Sequence, residues 1–272
     1  MDQSESVPSI LETTATGEIA EIYSDIRKTL GSGVVNLIWR NLATLPGALQ
    51  WTWSTVRPLY LGPAPGHAEA VRRTLVLPGA SPLSADALRV AGIDRTALTA
   101  IHAILNSYHH TNALALVVLS ALLELYDPST TDAVQSSEAA PVQTHAELPT
   151  LPPMATLPPE LRRLIGELNE FGEDTDPFLI ASMYRHLAYW PAFLAMVRTM
   201  LVPLQANGSL NALTHSARAL GRAHGRLLAR QLAPAKPPAS LEAALASCRL
   251  FVEHPIARMT GICAIIRRAT PE

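Results

Sequence analysis

The chain is poor in several residue types, and each scarcity argues against a class of protein. Of its 272 residues, only 5% are aromatic and 16% are charged, whereas 48% are hydrophobic. The core must therefore consist mainly of Leu, Ala, Val and Ile, a mixture that favours helices over a sheet. The formal net charge of −2 provides no basic footprint, so no nucleic-acid partner is expected.

Cysteine is represented only by Cys248 and Cys263. The two do not form a CxxC motif and have no cluster of His or Cys nearby, which argues against structural zinc and against a redox pair. We therefore expect reduced cysteines packed as small apolar residues, with no metal and no cofactor.

Long apolar runs and targeting signals are also missing. The most apolar run, from Ala113 to Leu123, has about 11 residues and is too short to span a bilayer. The first residues lack the basic and apolar regions of a signal peptide. These features predict a cytoplasmic protein with no membrane partner. Lysine occurs only as Lys28 and Lys236. The large excess of arginine over lysine indicates a GC-rich bacterial source.

Helical periodicity fills the first part of the chain. Apolar residues recur at spacings of three and four between Thr14 and Leu30, and Gly31 is expected to end that helix. Further helices are predicted over residues 34–43, 48–59 and 66–75. Ser84 and Asp94 are predicted caps of two more helices. The second of these runs to Tyr126, with a break near His109 left open.

Residues 127–159 have a different composition, with seven prolines among Ser, Thr, Ala and Gln. Such a segment predicts a surface linker or a loosely packed strap. Helical periodicity returns at Glu160. The predicted organisation is an N-terminal helical repeat (1–126), a proline-rich linker (127–159) and a C-terminal helical repeat (160–272). Within the last part, Asp176-Pro177 is typical of a helix cap followed by proline.

The second helical part repeats the first at an offset of 145 residues. Trp39–Pro46 aligns with Tyr184–Pro191 through shared Arg, Leu, Ala and Pro, and Pro58-Leu59 falls on Pro203-Leu204. Six coincidences at one offset indicate a duplicated domain. The predicted fold is all-α, with two tandem homologous helical repeats packed as a pseudo-dimer. A pocket is expected at the seam between the repeats.

These motifs, in this order, resemble the group I 2-haloacid dehalogenases. The residues that carry the resemblance are Thr29-Leu30, Arg40, Leu42–Gly47, Ser182, Leu187-Ala188 and Trp190-Pro191. The similarity extends from about Gly17 to Arg267. It implies an all-α pseudo-dimer that hydrolyses the carbon–halogen bond of small 2-halocarboxylates. In that family an aspartate activates water, which attacks the α-carbon directly.

One functional residue of the family carries over. Asn112 matches an asparagine that helps to place water or substrate, and it shares a stripe of helical period with Tyr108, so both should face inward. A buried amide must be hydrogen-bonded, and Asn112 could instead be satisfied by the backbone. Tyr108 could donate a hydrogen bond to a carboxylate or serve as a core tyrosine.

The catalytic aspartate of the family does not carry over. It directly follows the serine that Ser182 matches, and this chain has Met183 at that place. Methionine cannot accept a proton from water, so the hydrolytic mechanism lacks its base. Two aromatic residues of the family's pocket fall on Val34 and Leu37. The substrate-binding wall is therefore expected to be wider or differently shaped.

Other polar residues have alternative interpretations. His186 lies one turn after Met183 on nearly the same face, where it is either a general base or a hydrogen-bonded core histidine. His109 and His110 are adjacent, so at most one of them faces the pocket of Asn112. The matched Arg40 and Arg185 could bind a substrate carboxylate or belong to the scaffold.

Three functions are compatible with these features. The first is an enzyme that displaces a leaving group from a small carboxylate-bearing substrate at the seam, by hydrolysis or intramolecular substitution. The second is a true 2-haloacid dehalogenase with a relocated base. The third is a non-catalytic ligand-binding protein or a partner subunit. Homo- or hetero-oligomerisation is left open.

Overall fold

The computed structural model describes residues 7–127, 148–174 and 179–272, and within these ranges the regular structure is helical. The helices before the proline-rich segment are α1 (Gly17–Leu30), α2 (Leu37–Leu42), α3 (Ala48–Leu61), α4 (Ala64–Thr74), α5 (Ala85–Val90) and α6 (Arg95–Tyr126). Those after it are α7 (Pro159–Glu170), α8 (Ser182–Leu187), α9 (Pro191–Ala206), α10 (Ser209–Ala229), α11 (Leu241–Phe251) and α12 (Ala257–Ala269). A 3-10 helix, Met154–Thr156, precedes α7, and a π-helical turn, Val252–Ile256, joins α11 to α12. The all-α prediction is confirmed.

The helix ends follow local chemistry. Gly31 closes α1 in the left-handed conformation with φ of 60°, which glycine adopts without a steric penalty. Ser84 caps α5 by accepting a hydrogen bond from the Ala87 N–H, and Asp94 caps α6 through the Ala97 N–H. These assignments agree with the sequence analysis.

Several helix ends differ by two or three residues from the predicted bounds, and the helices α6 and α2 differ in ways that concern the site. The helix α6 runs unbroken through His109, because no proline or glycine interrupts residues 95–126. The helix α2 begins at Leu37 instead of Val34, since Asn36 has an extended ψ of 149°. Val34 therefore lies in the connection before α2. The predicted Asp176-Pro177 cap lies outside the described residues, as does residue range 128–147 of the linker.

The long helix α6 forms the centre of the molecule. It packs against α10, α12 and α4, and its residues 113–119 are all buried. Glycines allow α10 to approach closely: a Cβ on Gly225 would lie 2.6 Å from the Cβ of Ser120, and one on Gly221 would lie 2.8 Å from the Leu116 side chain. Any larger residue there would push the two helices apart.

The helix bounds support the proposed duplication. Helices α2 and α8 each have 6 residues, and both their ends differ by the same 145 positions found in the sequence. Helices α4 and α10 begin at that offset as well, and a proline lies inside both α3 and α9. The repeat stays a prediction that superposition of residues 14–126 on 160–267 would test.

The described end of the proline-rich segment is tied to α8. The Tyr189 hydroxyl donates to the Thr150 carbonyl at 2.7 Å, and Nη2 of Arg185 donates to the Pro152 carbonyl at 3.0 Å. Separately, no helix in the described ranges is long and apolar enough to cross a membrane.

Candidate functional site

A small cavity lies between the two helical parts of the chain. It has a volume of about 50 Å³, enough for several waters or a short organic acid, because a site of roughly 10–15 Å³ on this measure holds one water. We call it the inner cavity. Its lining residues are Asn36, Leu37, Ile38, Tyr108, Asn112, Ala115, Leu179, Ile180, Ala181, Ser182, Met183, Phe251, Pro255, Ile256 and Met259.

A larger outer cavity of about 510 Å³ adjoins it. The two share a wall formed by Asn36, Leu37, Tyr108 and Ser182. The remaining residues of the outer cavity come from the segment before α1, from α1, from the stretch up to α2, from α2 itself, from residues 148–153 and from α8. They are Leu11, Glu12, Thr13, Arg27, Gly33, Val34, Val35, Arg40, Leu148, Pro149, Thr150, Leu151, Pro153 and His186.

The structure distributes the predicted site residues over both cavities. Leu37, Tyr108, Asn112, Ser182 and Met183 all line the inner cavity. The other two, Val34 and His186, line only the outer cavity. The seven side chains are thus neighbours in space, while their roles as catalytic or substrate-binding residues stay predictions.

Asn112 has an unusual environment for a buried amide. It lies on α6 with a relative exposure of 6%, and its Nδ2 has no hydrogen-bond partner among the residues that the structure describes. An unmet buried donor costs about 1–3 kcal/mol. Because Asn112 lines the inner cavity, this donor is suited to a water molecule or to a ligand that carries a hydrogen-bond acceptor.

His186 and Tyr108 form a hydrogen-bonded pair. Nε2 of His186 lies 3.1 Å from the Pro149 carbonyl, which can only accept, so Nε2 carries the proton. Nδ1 of the neutral ring then accepts from the Tyr108 hydroxyl, 2.7 Å away. Both ring nitrogens are engaged, and the pair orients the tyrosine on the wall between the cavities.

Burial keeps both groups neutral at physiological pH. Burial lowers the pKa of His186 to about 4; the hydrogen bond to Pro149 opposes this shift, and the positive charges of Arg185 and Arg40 reinforce it. Burial also raises the pKa of Tyr108, and the positive charges of Arg40 and Arg185 oppose this rise. A histidine with such a low pKa is a weak base at neutral pH.

The charged groups of the site belong to the outer cavity. Arg40 lines it and is only 5% exposed, with Nε donating to the Val35 carbonyl at 3.2 Å. Glu12 also lines it and accepts from Arg27 at 2.7 Å and from the Val35 N–H at 2.8 Å. Arg40 was a candidate from its place in the repeat, whereas no sequence pattern marked Glu12 or Arg27 as part of a site.

The inner cavity, in contrast, lacks a titratable base. Met183 is fully buried, and none of the described residues that line this cavity has a carboxylate or an imidazole. Among the described residues, Tyr108 is the one titratable group of the lining, and its pKa is raised. This cavity can accommodate an apolar group and hydrogen-bond it at Asn112 and Ser182, but it offers nothing to deprotonate water.

The adjacent histidines of α6 lie elsewhere. Nε2 of His110 is 3.1 Å from the Leu30 carbonyl, and neither His109 nor His110 lines either cavity. Within the described ranges, no group of three or more His, Cys, Asp and Glu residues could hold a metal ion.

Comparison with known proteins identifies the scaffold. The chain matches solved structures of D-2-haloacid dehalogenases. One is a mutant, with a TM-score of 0.70 and 18% identity over 97% of this chain and 96% of that chain. Another is a mutant in complex with D-2-CPA, with a TM-score of 0.65 and 18% identity over 96% of each chain. A D-2-haloacid dehalogenase in complex with L-LA also matches, with a TM-score of 0.66 and 17% identity over 97% of this chain and 96% of that chain. No family model and no curated protein matches. At this identity the likeness establishes a shared fold over nearly the full chain.

Proposed function

We propose that the protein is an enzyme that binds a small carboxylic acid at the two cavities and displaces a leaving group from it. The proposal departs from ordinary 2-haloacid hydrolysis in one respect: the nucleophile belongs to the substrate instead of being a water activated by the protein. The shared fold supports the general chemistry, since the structural neighbours are named as D-2-haloacid dehalogenases.

The observation that carries this proposal is the unpartnered Nδ2 of Asn112 in a cavity without a base. A buried donor at that place suits an acceptor atom of a substrate, and the mainly apolar lining suits its carbon chain. Arg40 in the outer cavity provides a positive charge for a carboxylate that lies between the cavities.

Intramolecular displacement meets the requirement for a reaction without a protein base. A substrate carboxylate oxygen forms a bond to the carbon that bears chlorine, while the C–Cl bond breaks and chloride leaves with the electron pair. The product is a lactone, and no proton is transferred. The protein needs only to fold the substrate into the reactive geometry and to exclude water.

Halide release from two substrates tests the proposal. We expect the protein to release chloride from 4-chlorobutanoate above the spontaneous rate, and to release none from 2-chloropropionate, whose hydrolysis needs an activated water. Asn112→Leu should abolish the enzymatic part, whereas Asn41→Leu, at an asparagine that lines neither cavity, should retain it. Efficient release from 2-chloropropionate would instead support a relocated base.

A second candidate function is non-catalytic ligand binding. It is favoured by the fully buried Met183, which fills the place of the family's aspartate with an apolar side chain. Under this alternative, butyrate or 2-chloropropionate binds with a measurable heat in calorimetry and neither chlorinated acid releases halide. His186 as base is the least supported alternative, because both ring nitrogens are hydrogen-bonded.

A further inference from the structure

Residues 179–181 form one wall of the inner cavity without belonging to a helix. Asn169, near the end of α7 and only 2% exposed, supplies their hydrogen bonds. Its Nδ2 donates to the Leu179 carbonyl at 3.0 Å, and its Oδ1 accepts from the Ala181 N–H at 2.9 Å. One side chain thus pairs with the backbone on both sides of Ile180, as a neighbouring strand would. We call these two hydrogen bonds of Asn169 the clamp; Ser182 is the residue that follows it in the chain.

Arg258 on α12 fixes the clamp in turn. Its Nη2 donates to Oδ1 of Asn169 at 2.8 Å, and its Nη1 donates to the Asn169 carbonyl. Because a guanidinium can only donate, the amide oxygen must face Arg258 and the amide nitrogen must face Leu179. The arginine is 1% exposed, so it holds Asn169 in one orientation from inside the core.

The charge of Arg258 is balanced by Glu173, whose carboxylate is 3.7 Å away and whose side chain is 1% exposed. The same carboxylate accepts from Arg218 at 2.7 Å and lies 3.1 Å from Nδ1 of His254. His254 belongs to the π-helical turn, in which Pro255 and Ile256 line the inner cavity. One buried carboxylate therefore contacts both Arg258 and the π-helical turn that contributes Pro255 and Ile256 to the cavity lining.

We propose that Asn169 and Arg258 are positioning residues for the inner cavity. Neither lines it, yet together they set where Ser182 and Met183 stand relative to Asn112. The proposal rests on the proposed function only for the presence of a ligand; the placement of the wall is a property of the protein alone. A purely stabilising role would leave the wall where it is.

Crystal structures of variants test the placement directly. Asn169→Asp retains the acceptor for Ala181 and Arg258 but loses the donor to Leu179. We expect residues 179–182 to move by about 0.5 Å or more, a displacement that impairs binding sites. The matched Asn41→Asp removes a donor to the Pro8 carbonyl, away from the cavities, and should leave the wall unmoved. An unmoved wall in Asn169→Asp would overturn the proposal.

Arg258→Lys is the second variant, and it decides the question if Asn169→Asp does not fold. It keeps the charge beside Glu173 but cannot make both hydrogen bonds, so the Asn169 amide should rotate and the wall should shift. Calorimetry with butyrate, which has the chain and carboxylate of 4-chlorobutanoate without its leaving group, then separates the proposals. If Asn169→Asp and Arg258→Lys both bind more weakly while Asn41→Asp binds as the unmodified protein does, the positioning role is supported. Absent binding to the unmodified protein contradicts the proposed function alone, because the crystallographic comparison still stands.

Discussion

The first turns of α2 and α8 face the same cavity but differ in chemistry. Leu37 and Ile38 begin α2, and Ser182 and Met183 occupy the corresponding places in α8 at the offset of 145 residues. All four line the inner cavity. The two α2 residues are apolar, whereas the α8 pair includes a hydroxyl. One position earlier the polarity is reversed, because Asn36 lines the cavity before α2 and Ala181 lines it before α8. Positions related by the offset of 145 residues therefore differ in polarity within one cavity.

The next residues of the two helices extend the comparison. Arg40 and Arg185 are both buried, and both donate from Nε to a backbone carbonyl, at 3.2 and 3.1 Å. One position later the helices diverge: Asn41 donates to Pro8 near the surface, while His186 lies in the core. Both arginines are anchored to the backbone, whereas the residue after them is an amide outside both cavities in α2 and a histidine that lines the outer cavity in α8.

The largest effect is expected from a carboxylate introduced at the matched positions. Ile38→Asp buries an unpaired carboxylate and should lower the free energy of unfolding by at least about 3 kcal/mol. Met183→Asp should cost about 1 kcal/mol less, because the hydroxyl of the adjacent Ser182 lines the same cavity and can donate to it, whereas the residue beside Ile38 is Leu37. Urea denaturation at pH 7 measures both. Equal losses would show that the two sides are electrostatically equivalent.

The second effect is a loss of stability in acid. Of the two helices compared, only α8 should contribute to it, through His186. His186 has a pKa of about 4 in the folded protein and about 6.5 when unfolded, so the unfolded state binds the proton first as pH falls. The contribution of neutral, buried His186 to the free energy of unfolding is therefore complete above pH 6.5 and is lost as the pH falls towards 4. At about 1.4 kcal/mol per pKa unit, the protein should lose about 2 kcal/mol more than His186→Gln between pH 7 and 4.5.

His224 sets the background of that experiment, since burial and then the nearby His67 lower its pKa to about 4 as well. Nδ1 of His224 lies 2.8 Å from Nδ1 of His67, between α4 and α10. Both proteins in the comparison retain this pair, so the difference between their pH profiles isolates His186. Asn41→Gln, at the matched position of α2, should reproduce the native profile. Coincident profiles for the protein and His186→Gln would contradict the assignment.

A smaller effect is expected from the hydroxyl that engages His186. Tyr108→Phe leaves Nδ1 of a buried ring unpaired and should cost about 1–2 kcal/mol. In the double variant with His186→Gln, the two losses should fall short of additivity by about 1 kcal/mol, because each removes the same hydrogen bond. Chemical denaturation of the four proteins measures this coupling. Strict additivity would mean that the bond contributes nothing.

The smallest effect is expected on the α2 side. Asn41→Ala removes hydrogen bonds to the Pro8 carbonyl and the Ser247 hydroxyl near the surface, where water replaces them. The loss of stability should be about 0.5 kcal/mol, and binding of 2-chloropropionate should not change. A loss as large as that of Tyr108→Phe would erase the contrast between the two helices.

Much of the fold could be predicted because its determinants are local. The caps at Ser84 and Asp94 and the stop at Gly31 follow from side chains next to the helix ends. The inward face of Asn112 follows from the period of α6. Even so, the same pattern left a break near His109 open, which the absence of proline and glycine could have excluded.

The outer cavity could not be predicted because distant segments form it. Composition marked the proline-rich segment as non-helical, but the carbonyls of Pro149 and Pro152 become partners of His186 and Arg185 only after folding. Glu12 precedes the first helix and has no periodic neighbours that signal its place in a site. Such pairings span 33 to 37 residues in the α8 contacts, beyond any local pattern.

The π-helical turn at Val252–Ile256 makes the C-terminal region sensitive to a kind of change that substitutions do not reach. Such a turn amounts to one additional residue inserted into a helical path. Deleting that one additional residue would remove the π-helical turn and rotate every later side chain by about 100° about the helix axis. Arg258 would then turn away from Asn169, and Met259 away from the inner cavity. A single-codon deletion here is therefore expected to disturb the hydrogen bonds of Asn169 and the lining of the inner cavity at the same time.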